Sequence, residues 1–432
     1  MRHNSETSKS AARIILNYDI RVNTSYIPPG RLERLRGHPL HPFVERYVAQ
    51  AEEQNYKPKT VIWHVQLFTR CSRWLHRTRR KLRDLNEQVV ERFLVQELPR
   101  RESWAGAMPA FCRLLAILRV EGVVPPANPI VRTSAQRLAD DYRCYLANER
   151  GLGSATINNY ARHVDQFLDE RFGHREVKVS ALRAQDVITF VMSQSRQHSR
   201  SWMLQVVSAL RSFLRFMHYR GHTATDLSPV VPIVANWRKA TLPKHLPAET
   251  VERVLNGCDL TTAVGRRNYA ILLLLARLGL RAGEVIALQL EDIDWGNAQI
   301  TIRSNKGQGW ARLPLPVDVG EAIASYLKND RPRCACRNVF VRLVAPYVKL
   351  SNSPVIAVIT RNALEKAGVE SVRKGSHLFR HSLATEMLRR GASLDEIGQV
   401  LRHRDPDTTA IYAKVDLNAL RRLAIPWPGE AR

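Results

Sequence analysis

A mainly α-helical chain with one small antiparallel β-hairpin is the fold class the sequence predicts. Three observations carry that expectation. Apolar residues recur at three- and four-residue spacing along most of the 432 residues. One stretch, "AQITIRSNKGQGWARLPLP", alternates Ile300 and Ile302 with polar neighbours and then turns at Asn305 to Gly309, which reads as a hairpin with Lys306 at its tip. The N-terminal half also repeats its helical pattern in order, as a duplicated module would.

The repeat justifies the first elements. "KPKTVIWHVQLFTRCSRWL" and "GSATINNYARHVDQFLDERF" each place a turn, a Thr and a helix. Counted from Thr60 and Thr156, Val61, Phe68 and Cys71 match Ile157, Val164 and Phe167. "LNEQVVERF" then matches "LRAQDVITF", and "FCRLLAILRVEG" matches "LRSFLRFMHYRG". Each copy closes on a Pro-bearing stretch and reads as about four amphipathic helices. Two helical bundles always share some periodicity, but agreement in order across several segments favours duplication. The expected boundaries are a first helical module over 1–130, a second over 131–231, a linker over 232–247 and a C-terminal domain over 248–432. The linker lies in the Pro-rich, basic "PVVPIVANWRKATLPKHLP", which lacks periodicity and suits a path along a DNA backbone.

Composition narrows the partner. Lys and Arg number 66 against 40 Asp and Glu, a formal charge of +26. Such an excess fits a polyanion, because each neutralised phosphate releases condensed counterions; RNA-binding proteins share it. The 44% hydrophobic content argues against a disordered basic tail. The N-terminal "MRHNSETSKSAARIILNYDIRV" lacks a secretory apolar region, and "YAILLLLA" is too short to span a bilayer. Six scattered cysteines read as cytosolic thiols, and Cys334 with Cys336 as a surface loop rather than a metal site. The expected location is cytoplasmic and nucleoid-associated.

The most informative stretch runs from His377 to Tyr412, "HLFRHSLATEMLRRGASLDEIGQVLRHRDPDTTAIY". Leu383, Met387 and Leu388 lie on one helical face, and Gly391 suits the residue that ends the helix. Ser393 and Glu396 form a capping box ahead of a run with Ile397 and Leu401. Asp405 and Pro406 read as N-cap and N1 of a further helix carrying Tyr412. His377 and Arg380 therefore sit one turn apart at a helix start, and His403 falls in a tight loop. Upstream, "RRNYAILLLLARLGLRAGEVIALQL" is helical with a turn around Gly279 and Gly283.

These residues resemble the tyrosine recombinase, or phage integrase, family. Its pattern is matched by Arg281 in "LGLRAGEV", Lys306 in "SNKGQG", His377 and Arg380 in "HLFR", His403 in "LRH" and Tyr412 in "TTAIY". The match runs in order through about the last 190 residues, and the module around Thr156 resembles the family's SAM-like, core-binding helical domain. Two positions depart: Leu278 replaces the usual Thr, and Arg402 the usual Gly, which tolerates backbone angles that Arg does not. The resemblance implies DNA cutting and rejoining through a 3′-phosphotyrosine, a Holliday junction, and a homotetramer on two double-stranded DNA sites, with or without partner recombinases. The apolar side of "LNALRRLAIPWPGEAR" could pack on a neighbour or on its own domain.

The chemistry needs these residue types in its own right. Two guanidiniums, Arg281 and Arg380, suit the non-bridging oxygens of a five-coordinate phosphate because they hold charge and bind bidentately. A phenol is protonated at neutral pH and must lose its proton as Tyr412 attacks. His377 is the candidate acceptor or relay, Lys306 the acid for the leaving 5′-oxygen, and His403 a hydrogen-bond donor to the phosphate. His381 and Glu284 read as supporting. Taken singly, Arg281 could merely bind phosphate, Lys306 could be solvated and Tyr412 could be a half-buried aromatic; together they form one pattern. No cofactor is expected: there is no acidic two-metal cluster and no phosphate-binding G-x-x-x-x-G-K-[ST] motif. The rivals are a type IB topoisomerase and a catalytically silent DNA-binding regulator.

Overall fold

The computed structural model describes residues 39–98, 104–126, 133–173, 181–235, 244–303, 309–370 and 375–415. Among them the chain is mainly helical with one three-stranded antiparallel sheet. The chain divides into two compact units, one spanning Pro129–Thr241 and one made of Met1–Asn128 together with Leu242–Arg432.

The first helical bundle comprises α1 (His41–Glu53), α2 (Pro58–Arg77), α3 (Glu87–Glu97) and α4 (Trp104–Val120). Proline near the start of α1 and α2 fits the helical N-terminus, where its missing N–H leaves no bond unmade. Asn86 caps α3 by accepting from the Val89 amide at 3.0 Å. Phe68, Phe93 and Phe111 meet edge-to-face in the centre, with ring centroids 5.2 and 5.6 Å apart. A polar group threads this core: the Tyr47 hydroxyl lies 2.9 Å from His64 Nδ1, and Arg113 reaches both Tyr47 and Tyr56. Ala345, far along the chain, packs onto this core.

The second bundle repeats the order with α5 (Ser134–Asn148), α6 (Ser154–Phe172), α7 (Ala184–Gln197) and α8 (Arg200–Tyr219). Thr133 and Gln136 form a capping box at its entry. Phe167 and Phe190 meet edge-to-face at 5.2 Å, and Tyr142 and Phe213 at 5.3 Å. The positions paired by the sequence repeat are core positions in both bundles: Phe68 with Val164, Cys71 with Phe167, and Phe93 with Phe190 are all buried. Ile157, the partner of buried Val61, is only partly buried.

The C-terminal part is built on α10 (Ala263–Arg277), preceded by α9 (Ala248–Asn256). Every residue from Ala270 to Leu275 is fully buried, so the apolar run is the centre of a core. Each of its Leu and Ile side chains contributes roughly 1.5–3 kcal/mol by leaving water. After α10 the chain turns at Gly279, whose φ is +57°. A Cβ there would come within 2.8 Å of Leu401 Cδ2 and 3.0 Å of Leu383 Cδ2, so both conformation and crowding require glycine. A short α11 (Ala282–Ala287) leads to β1 (Ile293–Asp294), β2 (Gln299–Arg303) and β3 (Trp310–Pro314). Ile300 faces Leu313 and Ile302 faces Ala311 across the β2–β3 ladder, with both isoleucines buried as their alternation predicts. The turn bearing Lys306 lies outside the described residues. Next come α12 (Val317–Asn329), α13 (Ser353–Lys366), α14 (His377–Arg389), α15 (Leu394–Leu401) and α16 (Pro406–Thr409), then a 3₁₀ segment over Ala410–Val415. The expected helix carrying Tyr412 is thus split: four residues are α-helical, and the tyrosine sits in the tighter 3₁₀ continuation. The "LNALRRLAIPWPGEAR" segment is outside the described residues.

No helix among the described residues is long and apolar enough to cross a membrane.

Candidate active site

Three local structures converge on one place. The first is the α10–α11 turn. Arg281 is the N-cap of α11, and its backbone N–H donates to Glu284 Oε2 at 2.9 Å. Its guanidinium returns to the same carboxylate, Nη1 donating to Oε1 at 2.8 Å, while Nη2 lies 3.4 Å from the Arg402 carbonyl oxygen. Burial alone would raise the Glu284 carboxyl, but the Arg281 amide and the Arg402 and Arg281 guanidiniums more than offset it, holding the group below the usual carboxylate range. The Arg281 side chain remains 41% exposed, and its guanidinium keeps N–H donors beyond the two used here.

The second is the start of α14. Arg380 is buried and donates Nη1 to the Gly279 carbonyl and Nη2 to the Leu401 carbonyl. It ties the Arg281 turn to the end of α15 and still keeps other N–H donors, since a guanidinium carries five. Burial, reinforced by the neighbouring Arg281 and Arg402 charges, lowers its pKa to about 10, so it stays a cation at neutral pH. His377, one turn earlier, is exposed, with its ring centroid 6.4 Å from that of His381.

The third is the α15–α16 corner. Ser393 and Glu396 make the expected capping box, with the Glu396 amide donating to Ser393 Oγ at 3.2 Å and the Ser393 amide to Glu396 Oε2 at 2.7 Å. Asp405 caps α16 through the Asp407 amide at 3.0 Å. Between them His403 Nδ1 lies 2.7 Å from Thr409 Oγ1. Burial, and then the Arg380 and Arg281 charges, lower the His403 pKa to about 4, so its imidazole is neutral at physiological pH. When the threonine hydroxyl donates to Nδ1, the ring proton sits on Nε2, available to an anion.

Tyr412 closes the site from below. Its ring is buried in a small core with Ala384, Ile397 and Leu401, on the same helices that carry Arg380 and lead to His403. Its hydroxyl lies 2.8 Å from His381 Nδ1. Burial raises its pKa to about 12, against the opposing pull of Arg380, so the phenol is protonated at rest.

The structure therefore brings Arg281 to the Arg402 carbonyl and Arg380 to the Leu401 carbonyl, the two residues that lead into His403, with the Tyr412 ring packed against Leu401. Lys306 is not among the described residues. Three participants carry more than the sequence analysis gave them. His381, and not His377, lies at hydrogen-bond distance from the phenol. Thr409 sets the His403 ring. Arg402 was visible only as a departure from glycine. Nothing in helical spacing singles out Thr409, whereas His381 lies one turn from His377 on the same helical face, a signal present in the sequence. Among the described residues no group of three or more His, Cys, Asp or Glu side chains is placed to hold a metal ion.

The model described as "Phage integrase family" matches residues 244–418, and "Phage integrase, N-terminal SAM-like domain" matches residues 139–221. The "Putative integrase/recombinase y4rA" of Sinorhizobium fredii (strain NBRC 101917 / NGR234) is 44% identical over 367 residues, covering 84% of this chain and 88% of that protein. The "Putative integrase/recombinase y4rF" of the same organism is 31% identical over 408 residues, 93% of this chain and 95% of that protein, so its likeness extends through the first helical bundle. Among solved structures, XerH site-specific recombinase bound to a palindromic difH substrate superposes with a TM-score of 0.52 at 16% identity, over 78% of this chain and 93% of that one, a likeness of fold. With relatives of this identity and coverage on top of the motif order and geometry, the chain belongs to the phage integrase family of tyrosine recombinases.

Proposed function

We propose that this protein is a site-specific DNA recombinase in which Tyr412 attacks the scissile phosphate. The phenolic oxygen forms a bond to phosphorus, the bond to the 5′-oxygen breaks, and the products are a 3′-phosphotyrosine and a free 5′-hydroxyl. The 5′-hydroxyl of a partner strand reverses the step on new DNA, so phosphodiester energy is retained and the transfer needs no ATP. Arg281 and Arg380 hold the non-bridging oxygens, and His403 donates from Nε2. Lys306 protonates the departing oxygen. His381, at hydrogen-bond distance from the phenol, is the first acceptor of its proton, with exposed His377 as a relay. The observation that carries this reading is the packing of the Tyr412 phenol on the same two helices that bear Arg380 and lead into His403.

In the same reading the module over 131–231 closes on DNA opposite the catalytic domain over 248–432, joined by the linker over 232–247. The module over 1–130 contacts flanking DNA or a neighbouring protomer. The working assembly is a homotetramer on two DNA sites, associated with the nucleoid. The test uses a plasmid carrying two copies of a site recovered by covalent trapping on randomised nicked duplexes. Exchange into two circles is the expected result. Relaxation of supercoils without exchange would favour the topoisomerase reading, and binding without either would favour the silent regulator. Replacing the 5′-bridging oxygen with sulfur should restore cleavage by Lys306→Ala, because the thiolate leaves without a proton.

A further inference from the structure

Arg402 occupies a position that penalises it twice. It caps α15 in the left-handed region, at φ +55° and ψ +48°, which a side-chain-bearing residue adopts at a cost that glycine does not have. Its Nε is also buried without a hydrogen-bond partner among the described residues, and a desolvated, unpaired donor is destabilising. Glycine would avoid both. The backbone needs only the turn: the Arg402 amide donates to Gln399 and the His403 amide to Gly398, as in any left-handed helix end.

What offsets these penalties is a charge contact in the site. The Arg402 side chain is 13% exposed, and Nη2 lies 3.0 Å from Glu284 Oε2, the oxygen that also accepts the Arg281 amide. Glu284 is buried, with a side chain 6% exposed, and its other oxygen holds the Arg281 guanidinium. The Arg402 carbonyl meets that guanidinium from the other side. Arg281, Glu284 and Arg402 thus form a closed ring that joins the α10–α11 turn to the loop presenting His403. With Arg281 alone, Glu284 would leave the first half of the phosphate site a neutral pair. With Arg402 the trio carries one net positive charge, and the carboxylate is shared instead of claiming Arg281 entirely.

We infer that Arg402 is a positioning residue for strand cleavage: it neutralises Glu284 so that the remaining donors of Arg281 are free for the scissile phosphate, and it locks the His403 loop to the Arg281 turn before DNA arrives. This rests on the reading of Arg281 as a phosphate clamp.

The test measures single-turnover cleavage of the trapped site at saturating DNA, together with DNA affinity and thermal unfolding, on the full-length protein. Arg402→Gly suits the left-handed backbone and is expected to fold, to bind DNA as the parent does, and to cleave about 10–100-fold more slowly, as loss of a preorganising charge does. Arg402→Lys should recover part of the rate, and Arg402→Asn, which also tolerates this conformation, should behave like Arg402→Gly. Glu284→Gln added to Arg402→Gly should raise the rate again, because the unshared carboxylate no longer retains Arg281. A parental rate in Arg402→Gly and Arg402→Asn would overturn the inference. So would a double variant slowed by the product of its single effects, since the two side chains would then act independently. Arg281→Ala separates the two levels: if it cleaves normally, the clamp reading itself fails, whereas an inactive Arg281→Ala beside a fully active Arg402→Gly removes only the role of Arg402.

Discussion

Arg281 and Arg380 share one assignment but live in different surroundings. Arg281 leans on a carboxylate and keeps 41% of its side chain exposed. Arg380 is buried and paired with two main-chain carbonyls from segments more than a hundred and about twenty residues away. A guanidinium held by Glu284 can be replaced locally, whereas one that bridges Gly279 and Leu401 is also a joint in the fold. A cation proposed to hold phosphate can thus also serve as architecture, and the two roles separate by measuring stability beside rate.

The largest effect should therefore come from Arg380→Ala. It removes a clamp donor and strands two buried carbonyls, each costing about 1–3 kcal/mol unpaired. Cleavage should fall below detection and the urea midpoint should drop clearly. Arg281→Ala should lower cleavage by roughly 10²–10³-fold, in the range of losing one oxyanion donor, while the unfolding free energy moves by only ~1 kcal/mol, because Arg402 still pairs Glu284. Equal stability losses in the two variants would dissolve the distinction.

A smaller effect concerns His403, which burial, and then the two arginines, hold neutral. Its folded pKa, about 4, lies below the ordinary 6.5. As pH falls from about 6.5 toward 4, the unfolded chain takes up a proton that the folded chain refuses, so stability is lost across that window and is present in full above it. Solvent screening at the partly exposed ring limits this contribution to ~1 kcal/mol. His403→Asn should flatten that part of the stability–pH curve. His64, lowered to about 4 in the first bundle by burial and then Arg113, should leave its own acid-labile component unchanged in that variant. A curve as steep in His403→Asn as in the parent would show that His403 is not held neutral.

The contrast between the arginines also marks what the sequence could disclose. The helices, the capping box at Ser393, the strand alternation at Ile300 and Ile302, and the order of Arg281, His377, Arg380, His403 and Tyr412 are written in local spacing, and spacing is what periodicity reads. The partners of Arg380 are backbone carbonyls, which no side-chain pattern encodes. The choice of His381 over His377 as the neighbour of Tyr412 depends on the 3₁₀ segment, whose tighter winding sets where the phenol points. Arg402 stood out against an expected glycine, but its meaning needed Glu284, a residue 118 positions away in the chain.

The central claim is that Tyr412 is the nucleophile served by this cluster. Its most direct test is to trap the protein on a nicked duplex whose short cleaved strand diffuses away, digest the denatured adduct, and identify the nucleotide-bearing peptide by mass spectrometry. The account predicts a 3′-phosphodiester on Tyr412, with no adduct from Tyr412→Phe although that variant still binds the duplex. An adduct on another residue, or one that persists undiminished in Tyr412→Phe, would contradict it.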